Sequence, residues 1–131
     1  MEKLYQTFKD TVEFRIVYIR EAHAADGRKP SRFAEEKGIT EHDDYGERCS
    51  IADMMMEEEN ITIPCIIDNM DNQTNQDYAA WPDRIFIVRK DGRIAIAAAR
   101  GPKGFNPALK ETKKWLHEYR ETGKEPKLEV N

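Results

Sequence analysis

Cysteine is scarce in this chain: only Cys49 and Cys65 are present among 131 residues. Two thiols cannot build a disulfide framework, and no CxxC pair exists. That usage fits a reduced, cytoplasmic setting. Long apolar runs are missing as well. Nothing approaches the roughly 20 residues of a membrane span, and the opening MEKLYQTFKD has no apolar signal core. Neither a membrane nor a secretory route is expected. Positive charge is not in excess, since 21 Lys and Arg stand against 25 Asp and Glu, giving −4 and a pI near 5.5. Without a basic stripe, nucleic acid is not an expected partner. The three histidines form no HxxxH pair, so no zinc site is expected. DNMDNQ at 68–73 lacks the sixth-place glycine and closing glutamate of a calcium loop. No metal and no bound cofactor are expected.

What is present is one domain's worth of alternating pattern, over 1–123, with a short tail at 124–131. Leu4, Tyr5, Phe8 and Val12 recur at a helical period, which predicts a helix over 2–11. EFRIVYI (13–19) reads as a buried parallel strand. From Asp26 to Gly38 the Gly, Pro, Lys and Arg content predicts loop. Thr40 with Asp43 fits a capping box before a helix over 41–59, burying Cys49, Ile51, Ala52, Met55 and Met56. ITIPCIID (61–68) is a second strand and NMDNQTNQ a polar turn. DRIFIVR, Asp91-Gly92 and RIAIAAA predict a β-hairpin over 83–99. Asn106, Pro107 and Gly123 then bracket a helix whose inner stripe is Ala108, Thr112, Trp115, Leu116 and Tyr119.

One stretch bears on chemistry. IVYIREAHAADGR (16–28) runs from a strand into Arg20, Glu21, His23 and Asp26. Carboxyl ends of strands in open α/β sheets are where ligands and catalytic groups gather; the plain alternative is a strand ending in a polar loop. His42 stands near a helix start. Cys49 on an apolar helix face reads as packing, and Cys65 as either packing or a working thiol.

In order along the chain, IVYIREAHAADG (16–27), ITEH (39–42), IPCIIDNMDNQ (63–73), YAAWPDRIFIV (78–88), DGRI (91–94) and GPKGFNP (101–107) resemble the iodothyronine deiodinase family, including its bacterial deiodinase-like members. YIREAHAADG is the specific part; YAAWPDRIFI before a DG hairpin is shared with peroxiredoxins and thiol-disulfide reductases. The resemblance implies an α/β, thioredoxin-like mixed sheet with a terminal hairpin and closing helix, and Pro82 as a cis-proline beside the active site. It also implies reductive dehalogenation by a selenocysteine or cysteine placed after a first central strand. That strand and its nucleophile are missing here, since residue 1 already lies in the first helix. The strands at 13–19 and 83–89 are then expected either to pair directly in a rearranged sheet or to take a strand from a second copy in a swapped homodimer.

Carried over residue by residue, Glu21 and His23 match the acidic residue and histidine that the family uses to handle the proton and hydrogen-bond the substrate phenol. His42 matches a second histidine at the substrate pocket, and Asp26-Gly27 the family's DG. Arg28 stands where the family has tryptophan, and Lys103 replaces the tryptophan of GPW. A resolving thiol of vertebrate members falls at Ile63; Cys65, two residues on, shares that strand face and is the candidate redox thiol. The implied partners are a small-molecule substrate and an external thiol or thioredoxin-type reductant. The expectation is a deiodinase-like redox protein that is inactive for want of its nucleophile. The alternatives are a peroxiredoxin-like or disulfide-reductase relative, or a non-catalytic binding or assembly protein of the same fold.

Overall fold

Along the chain run α1 (Glu2–Phe8), β1 (Ile16–Tyr18), α2 (Arg32–Lys37), α3 (Tyr45–Glu58), β2 (Cys65–Ile67), α4 (Gln73–Tyr78), β3 (Phe86–Val88), β4 (Ile94–Ala97) and α5 (Phe105–Thr122). This mixed α/β order comes from a computed structural model that describes residues 1–127. The last four residues of the expected tail, 128–131, lie outside the described residues. The elements gather into two compact units, one over Phe14–Pro82 and one made of Lys3–Glu13 with residues 83–127.

In the Phe14–Pro82 unit, β1 and β2 pair in parallel, with Ile16 opposite Cys65, Val17 opposite Ile66 and Tyr18 opposite Ile67. Parallel neighbours need a long crossover, and α2 and α3 supply it. The strand period of two sends Tyr18, Cys65 and Ile67 to one face, where Ala34, Ile39, Ile51 and Ala52 form the core. Val17 and Ile66 face the other way and are exposed.

Two helices occupy stretches expected as irregular. Within Asp26–Gly38, the Ser31 hydroxyl accepts the Ala34 N–H at 3.0 Å and starts α2. Gly38, at φ 68°, closes it in the left-handed conformation that glycine adopts without strain. α4 begins within the expected polar turn after β2 and runs past its end to Tyr78. α3 starts at Tyr45, four residues later than the spacing suggested. The working cap is Asp44, whose Oδ1 accepts the Glu47 N–H at 2.8 Å, while Glu47 Oε2 accepts the Asp43 N–H at 3.2 Å. Of the residues expected inside, Ile51 and Ala52 are buried, and Cys49, Met55 and Met56 are half-buried.

In the other unit β3 and β4 form the expected antiparallel hairpin, with Ile87 opposite Ile96 and a bulge after Ile87. Gly92 takes φ 86° at its tip, and Asp91 Oδ1 accepts the Arg93 N–H at 3.0 Å. Ile87, Ile96 and Ala98 pack on Ala108 of α5. Ala108, Thr112 and Leu116 are the buried stripe of that helix, while Trp115 and Tyr119 stack half-buried at 5.5 Å. Gly104, not Asn106, stands at the amino end of α5, and Pro107 is the third helical residue. A side chain at 104 would press on the Ala99 and Arg100 carbonyls, so the chain enters the helix through a glycine. Phe8 of α1 is fully buried, edge-on to His117 at 5.0 Å and under the Arg120 guanidinium at 4.5 Å.

β1 is registered on β2 and β3 on β4, and both sheets stop at two strands among the described residues. The expected direct pairing of the strands at 13–19 and 83–89 therefore does not form.

Candidate functional site

The candidate site residues gather at the carboxyl end of β1. Tyr18, its last residue, is buried, and its hydroxyl donates to Glu21 Oε2 at 2.7 Å. The same oxygen lies 3.4 Å from His42 Nε2, a long approach, with the two rings 5.5 Å apart. Burial first, and the hydrogen-bonded Glu21 carboxylate second, push the Tyr18 phenol well above its ordinary range. It stays protonated and donates. Tyr18 thus presents its proton to Glu21 and its lone pairs to His42.

Behind His42 stands Arg48, on the inward face of α3 and only 3% exposed. Its Nε–H donates to His42 Nδ1 at 3.0 Å, Nη1 to the carbonyls of Asp68 (3.3 Å) and Asn69 (2.9 Å), and Nη2 to Asn72 Oδ1 at 3.1 Å. Burial and the Arg48 cation hold the His42 pKa below its ordinary value, against the pull of Glu21, Glu41 and Glu47.

The turn that Arg48 grips is built on Asp68. This buried carboxylate accepts the N–H groups of Asn69 (2.9 Å), Thr74 (3.0 Å) and Asn75 (2.9 Å). Burial would raise its pKa, but the donors of Asn75, Thr74 and Asn69 outweigh it and hold the carboxyl below its usual range. Those bonds start α4, whose sequence QTNQDY has no apolar stripe of its own.

Glu21 and His23, carried over together from the family, take different partners. Glu21 takes its hydrogen bond from Tyr18, while His23 is exposed with Nδ1 2.8 Å from the Lys29 carbonyl oxygen. A carbonyl only accepts, so Nδ1 carries a proton, and in the neutral ring the lone pair is on Nε2. Asp26 Oδ1 accepts the Glu41 N–H at 2.9 Å and ties this loop to the residue before His42.

Trp81–Pro82 is a cis peptide, the isomer the resemblance implied, and Gly101–Pro102 is cis as well. The exposed Trp81 ring lies under the Arg20 guanidinium at 4.9 Å, and the Trp81 main-chain N–H donates to Asn75 Oδ1 at 3.0 Å. Arg28 and Lys103 are both exposed. Cys65 is half-buried in β2, and burial pushes its thiol up, which lowers its thiolate fraction.

Sequence reasoning missed Tyr18, Arg48 and Asp68. Arg48 left a trace: it lies three and four residues before Ile51 and Ala52, a cation on the helix face that points inward. Among the described residues no cluster of His, Cys, Asp and Glu could hold a metal, and no helix is long and apolar enough to cross a membrane.

The family model described as iodothyronine deiodinase matches residues 1–120. Thyroxine 5-deiodinase of Sparus aurata is 34% identical over 122 residues, which cover 91% of this chain and 42% of that protein. Type II iodothyronine deiodinase of Neoceratodus forsteri is 36% identical over 119 residues, covering 88% of this chain and 43% of the relative. The human type II iodothyronine deiodinase is 32% identical over 117 residues, covering 87% and 42%. The chain spans about two fifths of the length of these relatives. With the match running almost from end to end of its described residues, the chain belongs to the iodothyronine deiodinase family.

Proposed function

We propose that Phe14–Pro82 is the proton-handling and phenol-recognising part of a deiodinase-type reductive dehalogenation. Replacing an aryl iodine by hydrogen needs a nucleophile to take the iodine, a proton for the ring carbon and two electrons, here from an external thiol or thioredoxin-type reductant. The observation that carries the reading is the 2.7 Å Tyr18–Glu21 hydrogen bond with His42 on the same phenol oxygen. Such a chain moves or orients a proton at the end of a strand. His23, with its Nε2 lone pair outward, suits a phenol O–H donor.

These residues alone do not release iodide in this reading. The only thiols are Cys49 and Cys65, and the raised Cys65 pKa works against attack as thiolate. The two free, half-buried thiols fit a reducing, cytoplasmic setting. The fold reading is thioredoxin-like, supported by a parallel β1–β2 crossover followed by an antiparallel hairpin and closing helix. A homodimer in which a second copy completes the sheet belongs to the same proposal, and a monomeric molar mass in solution removes it. The chain's relatives named above are deiodinases, which does not favour the peroxiredoxin or disulfide-reductase alternative.

The test is a titration of the 15N-labelled chain with an iodinated phenol. Shifts should concentrate at Glu21, His23 and His42 and disappear in His23→Ala; an undisturbed spectrum overturns the assignment. Iodide release from an aryl iodide with excess dithiol, abolished by Cys65→Ser, overturns the inactivity.

A further inference from the structure

We propose that Arg48 is a positioning residue that fixes the His42 proton on Nε2, so that every donor in the chain Arg48–His42–Tyr18 points toward Glu21. The lock itself stands on geometry; only its use in a reaction rests on the function proposed above.

A buried guanidinium is costly unless its N–H groups are taken. Around Arg48 the acceptors are the Asp68 and Asn69 carbonyls, the Asn72 side-chain oxygen and His42 Nδ1, all of them neutral. Arginine has no acceptor and does not lose its proton in proteins. The contact at 3.0 Å between Arg48 Nε and His42 Nδ1 therefore has one consistent assignment: Nε–H donates and Nδ1 holds a lone pair. In neutral imidazole the proton must then sit on Nε2, the nitrogen that faces Tyr18. Adding a second proton would turn an N–H of His42 against an N–H of a cation.

The groups facing His42 are few. Arg48 comes from α3, Tyr18 from β1, Glu21 from the loop after it, and Glu41 and Glu47 from the chain on either side. The three carboxylates favour imidazolium, while burial and Arg48 oppose it, and the neutral form prevails. The polarity of the chain follows. Arg48 donates to His42, His42 to Tyr18, and Tyr18 to Glu21. The run ends on a carboxylate, so Glu21 is the acceptor terminus. His42 then orients Tyr18 and does not act as the acid. Because the same guanidinium binds the carbonyls of the β2–α4 turn, that turn and the His42 tautomer are set together.

His23 is the internal control, since the Lys29 carbonyl assigns it the opposite tautomer. Long-range 1H–15N correlation of histidine-labelled chain reads both rings without any substrate. His42 should appear as the Nε2–H form, favoured about tenfold or more, titrating below its ordinary pKa, and His23 as the Nδ1–H form. Arg48→Met should bring the His42 tautomers toward parity and raise its titration midpoint. Tyr18→Phe should leave the His42 tautomer unchanged, because Arg48 remains. Wild-type His42 protonated on Nδ1 overturns the assignment, as does a folded Arg48→Met chain with an unchanged tautomer. A tautomer that shifts in Tyr18→Phe also overturns it, because Tyr18 would then be the determinant. Should Arg48→Met fail to fold, the wild-type and Tyr18→Phe spectra still decide. Failure to bind a phenol would sink the proposed function and leave these spectra unaffected.

Discussion

The two units use similar elements and are held by different chemistry. Around the hairpin and α5 the buried set is Leu4, Phe8, Ile87, Ile96, Ala98, Ala108 and Leu116, with Thr112 the buried polar residue of the stripe. Over Phe14–Pro82 the buried set includes Arg48 and Asp68, each hydrogen-bonded at several atoms. Three-residue strands and a six-residue helix bury too little apolar surface to hold their loops. Polar side chains gripping main-chain groups do that work instead. Over Phe14–Pro82 directional bonds from Arg48 and Asp68 hold the loops and the titratable groups on them, while the hairpin unit buries a mainly apolar set.

The largest effect that would break this contrast is in the apolar unit. Phe8→Ala should cost about 4 kcal/mol, read as a lower midpoint in urea, because Phe8 is fully buried against His117 and Arg120. A loss no greater than that of a surface substitution would show that contact area does not hold this unit.

Asp68→Ala comes next, at about 3 kcal/mol, since it orphans the N–H groups of Asn69, Thr74 and Asn75. Hydrogen exchange should speed up over α4 and not over α5. The carboxyl is held below its unfolded pKa of 3.8, so its contribution is complete above that pH and lost as pH falls through the folded value. The Asp68→Ala chain should lack that step in acid.

Smaller still is Gly92→Ala, about 1 kcal/mol, because the hairpin tip needs φ 86°. The smallest effect sharpens the contrast by pH alone. His42 has a folded pKa below its ordinary 6.5, so the unfolded chain takes up the proton first. Stability is complete above 6.5 and declines as pH drops through the folded pKa. Comparing urea midpoints at pH 7 and 5, His42→Gln should show the shallower fall.

How legible these regions are in the sequence follows from the same chemistry. The α5 stripe, its Gly123 stop and the Asp91-Gly92 hairpin obey local periods and turn rules, and they form as expected. The family resemblance singles out Glu21 and His42, and both approach the Tyr18 hydroxyl, at 2.7 and 3.4 Å. α2 was hidden by its charged composition, although Ser31 and Gly38 mark both of its ends. α4 has no signal of its own because Asp68 holds it from outside. Arg48 reaches Asn69 and Asn72 across more than twenty residues, the bonds being at separations of 21 and 24. A bond between such distant residues leaves no periodic mark. Glu21 and His23 take different partners for a related reason: nearness in sequence is a poor guide where a loop can turn one side chain to its own backbone.

The opposed ring orientations of the two site histidines have a practical side. His23 holds an unshared electron pair out to solvent, whereas both nitrogens of His42 are engaged inside the protein. An acylating reagent selective for imidazole would discriminate between them, marking the first and sparing the second. Chemical footprinting could then report on occupancy at the loop without disturbing the residues beneath it.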